Sequence, residues 1–244
     1  MALKPCLIAA AFAALAFAAG TACAGPLEDG VAAAERGDLP TARAKFEPLA
    51  NAGDPLAAFY LGSLIVRYAA DQHKAEGVIW LQAAAKAGVV DAMNQLAVVY
   101  GEGKIVAPDQ AKATELLMQA ASLGFVEAYH NLGLRAANGI GAPRDLFSAM
   151  EWFRLAADQG YVESQESLGI LIAESDEVRT NPKKAAEAYM WLTLATRAGD
   201  GTAAAARKQF AATMKPAEIA EGDRLVAAWK PVKPLPKAAK APSG

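Results

Sequence analysis

Glycines at a near-constant interval constrain this chain more than any other feature. Gly53, Gly88, Gly124, Gly160 and Gly199 are separated by 35, 36, 36 and 39 residues. A second set keeps step with them. Leu61, Leu96, Leu132 and Leu168 stand 35, 36 and 36 apart, each followed by a small residue, Gly62, Ala97, Gly133 or Gly169. Eight residues before each glycine from Gly88 onward comes a bulky apolar residue, Trp80, Leu116, Trp152 or Trp191. Three residues before that the side chain is small: Gly77, Ala113, Ala149 or Ala188. Landmarks that share one period mark an array in which each copy is one supersecondary unit.

The stretch from Glu127 to Gly160 shows what that unit is. Ala128, Leu132 and Ala136 fall at helical spacing, a Gly/Pro-rich turn spans Asn138 to Pro143, and Ala149, Trp152, Phe153 and Ala156 form one side of a second helix that Gly160 stops. The small residue after each leucine lets two backbones approach, and the ridge of the second helix fills the space beside it. Trp80, Trp152 and Trp191 are accordingly expected in the core. Gly133→Leu is expected to overpack, at a cost of ~1–3 kcal/mol. Gly133→Ala is expected to be mild, because Ala97 occupies the same place one repeat earlier.

The pattern A-x-x-x-L-G, a G-x-G turn, then A-x-x-W-[FLY]-x-x-A-A-x-x-G resembles the Sel-one-like repeat family, a branch of the tetratricopeptide-like helical solenoids. The resemblance covers roughly residues 27–230. It implies an all-α fold, a right-handed solenoid of stacked antiparallel helix pairs. By this reading residues 25–53 are an N-terminal capping repeat with Asp38 and Pro40 opening its second helix and Pro48 kinking it. Repeats at 54–89, 90–125, 126–161 and 162–199 follow, and helices at 200–230 cap the far end. Two turns depart from the pattern: Tyr68 to His73 stand where glycines are usual, and Glu174 to Pro182 form a longer polar loop, expected to be the most mobile.

Both ends read differently from this body. Residues 1–24 have the parts of a secretory signal: Lys4, an apolar run from Leu7 to Ala19, and Ala22-Cys23-Ala24 before Gly25. Cleavage after Ala24 is expected, with lipidation at Cys23 the rival, disfavoured because Gly20 stands where a branched aliphatic residue is usual. The location expected is periplasmic or secreted. Cys6 and Cys23 both lie in that segment, so the remaining chain has no disulfide, and stacking must stabilise it. Residues 231–244 are rich in Pro, Lys and Ala and read as a disordered tail.

From Gly25 to Trp229 there are 19 basic and 26 acidic residues, a net of −7. An acidic body argues against nucleic acid. Catalytic parts are scarce. With only His73 and His130 and no Cys in the body, zinc sites and Cys–His or Ser–His nucleophile systems lack members. No catalytic residue, metal or cofactor is therefore expected, and the chain reads as non-enzymatic. An envelope hydrolase acting on a cell-wall or β-lactam substrate is the alternative, because some cysteine-rich members of the family carry a β-lactamase label.

Binding has more to stand on. With Ala92, Leu96 and Tyr100 facing the core, Asp91, Asn94, Gln95 and Val98 fall on the other side of their helix. The matching positions are Leu56, Phe59, Tyr60 and Ser63, then Glu127, His130, Asn131 and Leu134, then Glu163, Glu166, Ser167 and Ile170. In tetratricopeptide-like solenoids this face lines the concave groove, so the resemblance implies a partner groove built from Phe59, Tyr60, Asp91, Asn94, Gln95, Glu127, His130, Asn131, Glu163 and Glu166. Its chemistry runs from aromatic through amide to acidic, which suits a protein or extended peptide with an apolar end and a basic end. A simpler reading of Asp91, Glu127 and Glu163 is also open: acids in a first turn favour the helix dipole. The chain is expected to be monomeric. The tail lysines are suited to a weak contact with anionic envelope surfaces. The resemblance implies a protein-interaction scaffold, adaptor or regulator of the cell envelope.

Overall fold

The computed structural model describes residues 25–232, so the expected signal peptide and residues 233–244 lie outside the described residues. Among the described residues there are twelve α-helices and two 3-10 turns, and no strand. They fall into two compact units divided after Ala120.

The first unit holds α1 (Pro26–Glu35), α2 (Leu39–Asn51), α3 (Pro55–Tyr68), α4 (Lys74–Lys86), α5 (Val90–Glu102) and most of α6 (Gln110–Ser122). Consecutive helices pack as hairpins, α1 on α2 and α3 on α4. Asp38 caps α2 as expected, its carboxylate accepting from the Thr41 N–H at 3.2 Å, and α2 continues through Pro48. Phe46 is fully buried and lies against Gly30, where a β-carbon would come within 2.5 Å of its ring. Where repeat glycines are missing, Asp71–His73 form a 3-10 turn that leads directly into α4.

The second unit holds α7 (Val126–Asn138), α8 (Leu146–Ala157), α9 (Val162–Glu174), α10 (Pro182–Arg197), α11 (Gly201–Ala211) and α12 (Pro216–Ala228). α7 pairs with α8 and α9 with α10, while α11 and α12 both pack on α10. The polar loop before α10 is not merely irregular: Asp176–Arg179 form a 3-10 turn whose Val178 packs on the main apolar cluster. The end of α12 also holds more chain than composition implied. Trp229 meets Trp191 edge to face at 6.3 Å, and the Val232 N–H donates to the Asp158 carbonyl at 2.7 Å. Residues 231 and 232, read as the start of a disordered tail, are therefore seated on the body.

The landmark glycines do what the period requires. All five have positive φ, 78–96°. At Gly160, for example, the glycine N–H donates to Ala157 O and the Tyr161 N–H to Ala156 O, which satisfies two carbonyls that would otherwise be left at the end of α8.

Of the two adjacent ridge residues in each second helix, the later is the more deeply enclosed, so Trp80 and Trp152 depart from the core placement expected of them. The deeply buried ridge is Leu81, Leu117, Phe153 and Leu192, each 0–3% exposed. Trp80 and Trp152 are half-buried and only Trp191 is fully enclosed, since a side chain as large as tryptophan rarely fits inside so thin a brick. The second difference follows from the first. A β-carbon on Gly133 would lie 2.6 Å from the Phe153 ring, so even Gly133→Ala has no room, contrary to the expectation from Ala97.

Candidate functional site

Each first helix of a repeat carries its candidate residues three, six, seven and ten places after the preceding glycine. The fourth place is the anchor: Ala57, Ala92, Ala128, Ser164 and Ala203 are all fully buried. Within each unit, whether the neighbouring positions stay open depends on what the next repeat presents.

In the first unit the space between α3 and α5 is filled. Ser63 Oγ donates to Gln95 Oε1 at 2.5 Å, a buried pair that joins the two helices. Phe59 is 5% exposed and Gln95 7%. Tyr60 is half-buried, stacked on Phe46 at 5.3 Å and tilted against Phe59 at 5.2 Å. Burial raises the Tyr60 phenol above its ordinary pKa, with Asp91 and Glu35 adding to the effect. Asp91 is exposed and Asn94 half-buried. The accessible part of this wall is thus Tyr60, Asp91 and Asn94.

In the second unit His130 is buried between α7 and α9. Its Nδ1 lies 2.9 Å from Ser164 Oγ, and its ring packs against Phe153 and Tyr161 at 5.5 and 5.1 Å. Desolvation lowers its pKa to about 4, so the ring is neutral near pH 7. A serine and a histidine at this distance could form a nucleophile–base pair. Here Ser164 is 0% and His130 3% exposed, so no substrate reaches them and the pair acts as a rivet between helices. Glu127, Asn131, Glu163 and Glu166 are half-buried and face outward from this layer.

Phe59, Gln95 and His130 therefore do not line an open wall as the helical wheel implied. A wheel places a residue relative to its own hairpin, whereas Gln95 and His130 are each covered by a residue on the first helix of the adjacent copy, Ser63 and Ser164. The remaining seven candidates keep accessible surface, three in the first unit and four in the second.

One feature of the second unit was not read from the sequence. A cleft of about 540 Å³ opens between α9 and α11. Ile170, Ala173, Ala206 and Phe210 form its walls and Leu192 its floor. The signal was present in the alanine run Ala203–Ala206, which leaves α11 without the larger side chains that close the spaces between earlier first helices. Among the described residues no group of three or more His, Cys, Asp or Glu could hold a metal ion, and no helix is long and apolar enough to cross a membrane.

Comparison with known proteins agrees with this architecture. The Sel1 repeat family model matches residues 55–89, 90–125, 126–161 and 162–200. Among solved structures, a Sel1 repeat protein from Oxalobacter formigenes is similar at 20% identity with a TM-score of 0.63, over 74% of this chain and 71% of that one. A protective antigen of uropathogenic Escherichia coli with an SLR fold is similar at 24% identity with a TM-score of 0.64, over 83% of this chain but only 45% of that one. No curated protein sequence matches the chain. Repeats of this kind are generally protein–protein interaction scaffolds and typically non-catalytic. With four consecutive repeats spanning more than half its length, each stopped by a left-handed glycine, the chain belongs to the Sel1 repeat family.

Proposed function

We propose that this protein is a non-catalytic scaffold of the bacterial cell envelope that holds a partner protein or an extended peptide on the outward faces of its first helices. The observation that carries the reading is the arrangement of those faces. Behind them the helices are tied by buried pairs, Ser63–Gln95 and His130–Ser164, so the accessible residues Tyr60, Asn94 and Asn131 stand on rigid supports. A rigid polar face is suited to binding at low entropic cost.

Export to the periplasm or beyond rests on the N-terminal sequence: a lysine, an apolar run and the small residues before Gly25. The mass of the protein recovered from an envelope fraction tests it, a chain that begins at Gly25 being the expected result. A chain recovered with residues 1–24 intact, or with lipid on Cys23, contradicts cleavage after Ala24.

Crosslinking in the native envelope, followed by recovery with wild type and with the Tyr60→Ala/Asn94→Ala/Asn131→Ala variant, tests the binding face. At least one crosslinked partner is expected to be lost from the triple variant. Equal recovery of every partner by both proteins removes these faces from the reading.

A further inference from the structure

The pairs that lie between neighbouring first helices show why the cleft beside α11 is open. Ten places after Gly53 stands Ser63, and seven places after Gly88 stands Gln95; they are hydrogen-bonded and fill the space between α3 and α5. The equivalent positions on α9 and α11 are Ile170 and Ala206, and these line the cleft. The second pair is altered in the same way. Glu166 takes the place of His130 and Ala203 that of Ser164, so a half-buried carboxylate and a methyl group hold the two positions that a histidine and a hydroxyl hold one repeat earlier.

Glu166 is not alone. Glu163 lies one turn before it on the same stripe of α9, and Asp200 caps α11 through the Ala203 N–H at 2.7 Å. Burial raises the Glu166 pKa, and the charges of Asp200 and Glu163 raise it further. Neither Glu163 nor Glu166 has a basic partner among the described residues. One end of the space between α9 and α11 is therefore acidic without a basic partner among the described residues, and the other has an apolar interior of Ile170, Ala173, Ala206, Phe210 and Leu192 inside a polar rim. The outer rim carries Glu174 and Glu218 with Arg179 and Lys215, of mixed sign and no net preference.

We infer that the groove between α9 and α11 is a docking site for a partner segment that places one apolar side chain in the cleft and a lysine or arginine against Glu163, Glu166 and Asp200. The spacing follows from the helix. Glu166 and Ile170 are about 6 Å apart along α9, and Glu163 and Ala173 about 15 Å. An extended chain advances about 3.3 Å per residue, so the basic residue stands two to five places from the apolar one. A cation here relieves the mutual repulsion of three carboxylates while the apolar residue covers Leu192, Ile170 and Phe210. The inference rests on the scaffold reading and adds to it the location and chemistry of one ligand.

Selection from a random twelve-residue peptide display library on the purified full chain tests it, with enriched peptides resynthesised, labelled with fluorescein and titrated by anisotropy. Enriched peptides are expected to share an aromatic or large aliphatic residue with Arg or Lys two to five places away. Glu163→Lys/Glu166→Lys and Ala206→Trp should each weaken them tenfold or more, whereas Glu151→Lys on the outer side of α8 should not. Phe210→Ala, which enlarges the cleft instead of filling it, is a second probe should Ala206→Trp lose its helical circular dichroism. Peptides that bind but ignore the groove variants overturn this site and leave the scaffold reading intact. Enriched peptides without a basic residue, or no enrichment at all, also overturn the site. Tenfold tighter binding after deletion of residues 233–244 would assign the groove to the chain's own lysines. A dimer in sedimentation equilibrium that Ala206→Trp abolishes would assign it to a second copy. Either result overturns an external ligand.

Discussion

Gly133 faces Phe153 so closely that a β-carbon on the glycine would lie 2.6 Å from two of the ring's carbons. Phe153 is 0% exposed, and close-packed interiors leave a ring little room to shift. Gly133→Ala is thus expected to destabilise the second unit by ~1–3 kcal/mol through overpacking, despite the higher helix propensity of alanine. The sequence itself contains the compensation: in the preceding repeat Ala97 stands for Gly133 and Leu117 for Phe153. Gly133→Ala/Phe153→Leu should therefore recover part of the loss. Urea melts of wild type, single and double variants decide it, and additive losses would show that the two residues do not share one space.

His130 supplies a pH dependence. Its pKa falls from about 6.5 unfolded to about 4 folded because the ring is desolvated, so the folded state resists protonation. A base with a depressed folded pKa contributes its full stability above the unfolded value. That stability is lost as pH falls from 6.5 toward 4, with no further loss from this group below it. At pH 5 the difference is about 2 kcal/mol by linkage. Unfolding free energies of wild type and His130→Gln, measured at pH 7 and pH 5, should diverge in slope by that amount. Parallel slopes would mean that the ring is solvated.

The Ser63–Gln95 bond should be worth more when half of it is removed than when all of it is. Ser63→Ala leaves the Gln95 Oε1 buried without its donor, a loss of ~1–3 kcal/mol. Ser63→Ala/Gln95→Leu removes both polar groups and should be closer to wild type than Ser63→Ala alone. A double-mutant cycle by chemical denaturation measures the coupling, and a double variant worse than the sum of the singles would contradict the pairing.

How much of this was legible in the sequence follows from where each signal resides. The glycine stops could be read because positive φ excludes most side chains, so the requirement is written in one residue. The leucine register could be read because it is local to a hairpin. Burial of Gln95 and His130 could not, since it depends on what the adjacent copy presents, at Ser63 and Ser164 respectively. Trp191 is enclosed as its spacing implies, but Trp80 and Trp152 are not, because Leu81 and Phe153 beside them are smaller and fit inside. The cleft at α11 was missed for a similar reason: alanines there are ordinary helix formers on their own, and only the missing partner for Ile170 gives them meaning.

The chain after α12 provides a last expectation. Its Lys/Pro-rich composition gives no sign of attachment, because the contact to Asp158 is made by a backbone N–H that any residue other than proline could supply. Trp229 and Pro231 lie 3.8 Å from the β-position of Gly160, at ordinary contact distance, and Trp229 also meets Trp191 edge to face. Ending the chain at Ala228 removes the aromatic contact, the proline and the Val232–Asp158 bond together, and should cost ~2–4 kcal/mol. Ending it at Val232 keeps all three and should change stability by no more than about 0.5 kcal/mol. Trp229→Ala in the full chain should account for the larger part of the first loss, since the ring carries most of the buried area. Thermal melts of the three variants separate these contributions, and a chain ending at Ala228 that melts with wild type would show that residues 229–232 do not hold the end of the repeat array.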